Sequence, residues 1–223
     1  MKKTLFYLGC ILPVISLLTY ASCRSGSLNK EGGNLSLLRS DSVIKDIPYT
    51  ADGKPDMQYL LKDTAEKQAG FQTLERGFDS LAIRIWYEAT VEPVGQVVEL
   101  TKVNSEWNAH LFLIHYAMSG PHKDSVIVVK KDVRTAVPKS GWDIFINKLD
   151  SLQILSMKSD ITLPGYEYPT DGSGVVFQIA TKNTYRYYFY NAIEINDDNF
   201  WQARNVRSVL ELIDKEFDFP RIK

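Results

Sequence analysis

Cysteine is nearly absent: the 223-residue chain holds two, Cys10 and Cys23, both close to its start. Everything after Cys23 therefore lacks a thiol, which excludes an internal disulfide framework, a Cys-ligated zinc and a cysteine nucleophile. Histidine is scarce too, with three in total, and the net charge of −1 shows no excess of either sign. A nucleic-acid binder would carry a basic face, so nucleic acid is not an expected partner. The chain has no Walker-type phosphate loop, no GxGxxG and no GxSxG elbow, and no repeat of fixed period. Without cross-links its stability has to come from a core, and 44% hydrophobic residues over this length suffice for one.

What is present begins at the N-terminus. Lys2 and Lys3 precede an uncharged apolar run from Leu5 to Leu18, and small residues Ala21 and Ser22 stand before Cys23. That is the layout of a secretory leader. The run is short of the roughly 20 apolar residues a permanent span needs, and Pro13 interrupts it. TYASC resembles the lipobox of bacterial lipoproteins in the looser form that Bacteroidetes use, with Tyr20 where Leu is common. The resemblance implies cleavage after residue 22 and acylation of Cys23, which would anchor the chain through about 0.8 kcal/mol per buried methylene. Loss of Lys2 and Lys3 with the leader moves the net charge from −1 to about −3, an ordinary solvated surface.

Residues 23–45, rich in Gly, Ser and Asn, read as a flexible tether. Arg24 stands where retention signals of the enterobacterial type carry Asp, which favours the outer membrane. The first acid after the cysteine is Glu31, whereas surface-exported lipoproteins tend to have acids directly after it, so the periplasmic face is expected. The remainder, 46–223, reads as one globular domain with 46–75 its least defined part, although Met57, Leu60 and Leu61 have helical spacing.

From Leu81 the pattern has period two: Leu81, Ile83, Ile85 and Tyr87 point one way, Arg84, Trp86 and Glu88 the other. GQVVELTKV, EWNAHLFLIHYA and SVIVVKKDV continue it, predicting a four-strand antiparallel meander with one packed face. Trp142, Phe145, Ile146, Leu149 and Leu152 then follow helical spacing, with Ser140 as the expected N-cap and Asp143 as its acidic partner. GVVFQIAT and TYRYYFYN, joined by Lys182 and Asn183, predict a hairpin. Val206, Val209, Leu210, Ile213 and Phe217 predict a second amphipathic helix from about Asn199, with Asp197, Asp198 and Asn199 at its start. The class is α+β: an antiparallel sheet, meander plus hairpin, with two helices packed on it.

Candidate chemistry is sparse. His110 and His115 are an odd number of residues apart, so a regular strand turns them to opposite faces. His122 shares parity with His110 but lies beyond a turn, so no metal site is expected. Asp197 and Asp198 are accounted for by the helix start, and Ser173 in DGSG by a tight turn. No catalytic residue and no cofactor can be named. TYRYYFYN, residues 184–191, carries five aromatic rings. Tyr185, Tyr187 and Phe189 share one face, and Arg186, Tyr188 and Tyr190 the other. Two readings stay open: cross-strand packing on a half-buried sheet, or an exposed stripe of Arg186, Tyr188 and Tyr190, extended by Tyr166 and Tyr168, that stacks on a sugar, peptide or protein.

RGFDSLAIRIWYE, SGWDIFINKLDSL, NTYRYYFYN and RNVRSVLELIDKEF, over roughly residues 70–217, resemble uncharacterised lipoproteins of Bacteroidetes. The resemblance implies lineage and anchoring and no activity. Together these features point to a lipid-anchored, non-enzymatic module at the periplasmic face of the outer membrane that binds an envelope glycan, peptide or protein. The alternatives are an envelope-polymer hydrolase whose site is assembled from distant residues, and a structural or inhibitory partner of another protein. If Cys23 is the anchor, the full chain produced in a Gram-negative host partitions with membranes, while Cys23→Ser retains its leader and loses the acyl mass. A Cys23→Ser protein whose intact mass, measured by mass spectrometry, differs from that of wild type only by the exchange of sulfur for oxygen would refute it.

Overall fold

The computed structural model describes residues 43–88, 94–119, 125–169 and 173–219. The expected leader, Cys23, the expected tether up to residue 42, His122 and most of the VEPVG and SGPHKD breaks lie outside the described residues. Seven strands form one sheet: β1 (Ile44–Asp46), β2 (Leu81–Glu88), β3 (Val94–Val103), β4 (Glu106–Ser119), β5 (Ser125–Ala136), β6 (Gly174–Thr181) and β7 (Thr184–Asn191), in the order β1-β7-β6-β2-β3-β4-β5. Every neighbouring pair is antiparallel except β1 with β7. The α+β class holds, but meander and hairpin are not separate units, because β6 pairs along the whole of β2. Ile44 and Lys45, in the segment expected to be tether, already pair with Thr184 and Tyr185.

One face of the sheet carries Ile83, Ile85, Val98, Leu100, Leu111 and Phe177, and α2 (Trp142–Ser151) and α4 (Trp201–Phe217) pack on it. Their periodic apolar residues do this work: Phe145, Leu149, Val206, Val209, Leu210 and Ile213 are all buried. Trp142 is half-buried and stacks on Trp107, with ring centroids 6.1 Å apart. The expected caps are corrected. The N-cap of α2 is Gly141 at φ 82°, not Ser140, and the Ser140 N–H is instead donated to the Glu216 carboxylate over 2.8 Å. Burial pushes the Glu216 carboxyl up, but hydrogen bonds from Ser140 and Lys148 outweigh it and hold the pKa below its ordinary value. At α4 the N-cap is Phe200. Asp197 directly follows the single turn α3 (Ile193–Asn196) and pairs with Arg207.

The expectation of one packed face is also overturned. The opposite face holds Ala82, Arg84, Trp86, Val97, Val176 and Tyr185, covered by α1 (Met57–Gln68) and the turn that follows it. Asp56 caps α1, accepting the Gln58 N–H at 2.8 Å. The helix is inverted relative to the pattern that predicts it. Met57, Leu60 and Leu61 are 63%, 46% and 58% exposed, while Tyr59, Lys62 and Glu66 face the sheet.

The inversion follows from Arg84, which is completely buried in mid-strand and needs acceptors for its five N–H groups. Its Nε and Nη2 donate to Glu99 Oε2 at 2.8 and 2.5 Å, Nη2 also to the Gln72 carbonyl at 3.0 Å, and Nη1 to Glu66. The guanidinium also lies over the Phe71 ring, 4.7 Å from its centroid. Lys62 sits 4.2 Å above the centroid of Trp86, whose Nε1 donates to Gln178 at 2.8 Å. Burial pushes the Glu66 carboxyl up, against the Arg84 charge that holds it down. Removing one member of a buried ion pair strands the other. Glu66→Ala is therefore expected to lower stability by about 3 kcal/mol or more in urea unfolding, although alanine is the better helix former. A loss under about 1 kcal/mol would mean that Glu99 and Gln72 satisfy Arg84 without it.

Candidate functional site

β7 ends the sheet wherever β1 does not cover it, and an uncovered edge leaves backbone groups without partners. After α2 the chain supplies the cover. Residues 152–166 run past β7 with only a short 3-10 turn (Asp160–Thr162), and side chains stand in for a neighbouring strand. Ser159 Oγ accepts the Phe189 N–H at 3.1 Å and lies 3.3 Å from the Phe189 carbonyl. Asp160 Oδ2 accepts the Asn191 N–H at 2.9 Å, and the Tyr166 hydroxyl donates to the Asn191 carbonyl at 2.7 Å.

This segment decides the fate of the aromatic stripe. Residues without regular structure have carbonyls that need donors once buried. Tyr188 donates its hydroxyl to the Ile154 carbonyl at 2.6 Å and Tyr190 donates to that of Lys158. Arg186 donates from Nη1 to Leu155 and from Nη2 to Met157, the latter at 2.8 Å, while its Nε holds Asp46 at 2.8 Å. Of the two readings, the exposed stripe is thus corrected in favour of packing: Tyr188 and Tyr190 are 2% and 0% exposed, and Tyr166 is buried too. They form a platform whose occupant is the chain's own segment 154–158. Arg186 remains at the rim, 21% exposed, and Tyr168 is half-exposed with its ring 5.4 Å from that of Tyr166. The stripe's parity is as expected, since Arg186, Tyr188 and Tyr190 pair with Ile179, Phe177 and Val175 of the α2/α4 face. Phe177 and Tyr188 stack at 4.7 Å. Burial is the main cause that raises the pKa of Tyr188, Tyr190 and Tyr166 well above that of a free phenol, so each keeps the proton it donates.

Where the cover stops short of β1, a cleft of about 370 Å³ opens. Its walls include Asp46 and Tyr49 on one side, Ser156, Lys158 and Thr162 on the other, and Arg186 between them. Of the sequence candidates it gathers Arg186 and Tyr188, with Tyr190, Tyr166 and Tyr168 outside its lining. Tyr49 and Lys158 come from stretches with no periodicity, and no signal in the sequence marks them. The other candidates stay apart. His110 and His115 face opposite sides of the sheet, across from Glu99 and Val94 respectively, and His115 lies 3.0 Å from Asp132. Ser173 is exposed, and its carbonyl accepts the Ala192 N–H at 3.0 Å. No protein-family model matches the chain, and neither does any curated protein.

Asp160 borders this region and is 2% exposed. Burial pushes its carboxyl up to about 6, against the N–H groups of Asn191 and Ile161 that favour the anion. Its ordinary value is 3.8, so between about pH 4 and 6 the folded state keeps a proton that the unfolded state has released. Stability from this group is full below about pH 4 and is lost as the pH rises through 6, by about 2–4 kcal/mol. In urea unfolding the stability of wild type relative to Asp160→Asn is expected to fall across that window. A pH-independent difference between the two proteins would sink this assignment.

Proposed function

We propose that the chain is a lipid-anchored envelope protein, held through Cys23 at the periplasmic face of the outer membrane, and that its domain is a non-enzymatic binding module for an envelope glycan or peptide. The observation that carries this reading is the cleft at the β1–β7 edge. Its frame is held by hydrogen bonds from Arg186 and Tyr188 to the opposite wall, while Tyr49 on its rim is 57% exposed. A preformed concavity with an exposed aromatic and a few polar groups is what a small-ligand site requires. Order in that frame lowers the entropy lost on binding.

The hydrolase alternative would need a titratable group free to move a proton within reach of the cleft. Asp160 is the nearby group with a raised pKa, and both its oxygens accept backbone N–H groups, Ile161 at 2.6 Å and Asn191 at 2.9 Å. That arrangement suits a strut better than an acid catalyst.

The test uses the full-length chain in detergent, mixed with detergent-washed, membrane-free envelope polymer and sedimented. Wild type is expected in the pellet. Tyr49→Ala, which removes a ring that is 57% exposed, should weaken retention about tenfold, as loss of an aromatic anchor does. Equal retention of both proteins would refute the cleft as the binding site.

A further inference from the structure

The cleft's charges and hydrogen-bonding groups are unequal in a way that selects a ligand. Asp46 is paired with Arg186 at 2.8 Å, and all three Arg186 nitrogens are engaged. Lys158, exposed on the opposite wall, makes no ion pair among the described residues. The lining therefore holds one cation more than it holds anions, and that cation is available.

The hydroxyls carry a different preference. Ser156 Oγ donates to the Gln153 carbonyl at 3.1 Å, and Thr162 Oγ1 donates to that of Ser159 at 2.7 Å. A hydroxyl has one hydrogen, so toward a ligand both oxygens act as acceptors. The Asp46 carboxylate, 65% exposed, is a third acceptor. A simple anion has no hydrogens to give them and would be repelled by Asp46. A ligand rich in hydroxyl donors that also bears one negative group satisfies both sets at once.

We infer that the cleft is a site for a sugar acid, with the ring against Tyr49, its hydroxyls donating to Asp46, Ser156 and Thr162, and its carboxylate on Lys158. An aromatic ring offers the flat apolar surface on which the C–H face of a pyranose rests. The volume of about 370 Å³ is at the low end of the roughly 300–1,000 Å³ of small-ligand sites, room for one or two rings, free or at the end of a polymer. This inference rests on the binding-module reading and narrows it to a ligand class.

Saturation-transfer NMR on the full-length chain in detergent tests it with three probes: D-glucuronate, which has ring and carboxylate, D-glucose, which lacks the carboxylate, and glutarate, which lacks the ring. Glucuronate should receive saturation most strongly at its ring protons, glucose should bind about tenfold more weakly, as loss of a charge-assisted contact implies, and glutarate should show none. Lys158→Gln should reduce glucuronate to the level of glucose, and Tyr49→Ala should remove both signals, each with an unchanged melting temperature. Glutarate binding as well as glucuronate would make this a plain anion site and overturn the inference, as would glucuronate binding that neither substitution alters. If glucuronate fails to bind while Tyr49→Ala still weakens retention on envelope polymer, the sugar-acid assignment is wrong and the binding module stands. If Tyr49→Ala is without effect in both assays, both readings fall.

Discussion

The structure depends on how a stretch of irregular backbone is buried against the last strand. Residues 152–166 have to cover the edge of β7 without forming a strand of their own, so their carbonyls and the edge's amides need partners from side chains. Arg186, Tyr188 and Tyr190 supply the donors on one side, and Ser159, Asp160 and Tyr166 answer from the other. Tyrosine fits this task because its ring fills the core beneath α2 and α4 while its hydroxyl reaches a carbonyl at the margin. Phenylalanine in its place would fill the same space and leave a buried acceptor unpaired.

The second face solves a similar problem with charge. Arg84 occupies the centre of a strand buried on both sides, and α1, the turn after it and β3 each give it an acceptor. Glu66 and Lys62 therefore point inward from α1 and the apolar Met57, Leu60 and Leu61 are left in solvent. A buried ionic cluster of this kind contributes less net stability than an apolar core of equal volume. It does set the rotation of α1 about its own axis, since only one face of the helix carries a carboxylate that can reach the guanidinium.

The cleft is a by-product of the first arrangement. β1 is three residues long and leaves the sheet after Asp46, while the irregular segment stays on β7 as far as Tyr166. The gap between them is framed by groups already fixed for structural reasons, with Arg186 holding Asp46 on one wall and two carbonyls on the other. The same contacts that bury the tyrosines thus hold the walls of the site in place, and ligand-facing groups such as Tyr49 and Lys158 are added on loops at its rim. Loops set on a rigid frame are the usual place for recognition.

Local pattern was enough for much of this protein. The alternation of Leu81–Tyr87, the helical spacing of Phe145, Leu149, Val206 and Ile213, and the two-residue turn at Lys182 and Asn183 each identify an element, because period and turn chemistry are properties of neighbouring residues. The proposed leader and anchor also rest on sequence alone. Burial is different, since it depends on which distant segment returns to cover a surface. Met57, Leu60 and Leu61 mark α1 correctly as a helix yet lie on its outer face, because Arg84, some twenty residues later, claims the other. Arg186 suggests a wet face for Tyr188 and Tyr190, yet segment 154–158, some thirty residues earlier, closes over them. The cleft joins Tyr49, Lys158 and Arg186 across nearly 140 residues, and that proximity exists only once the parallel β1–β7 pair has formed.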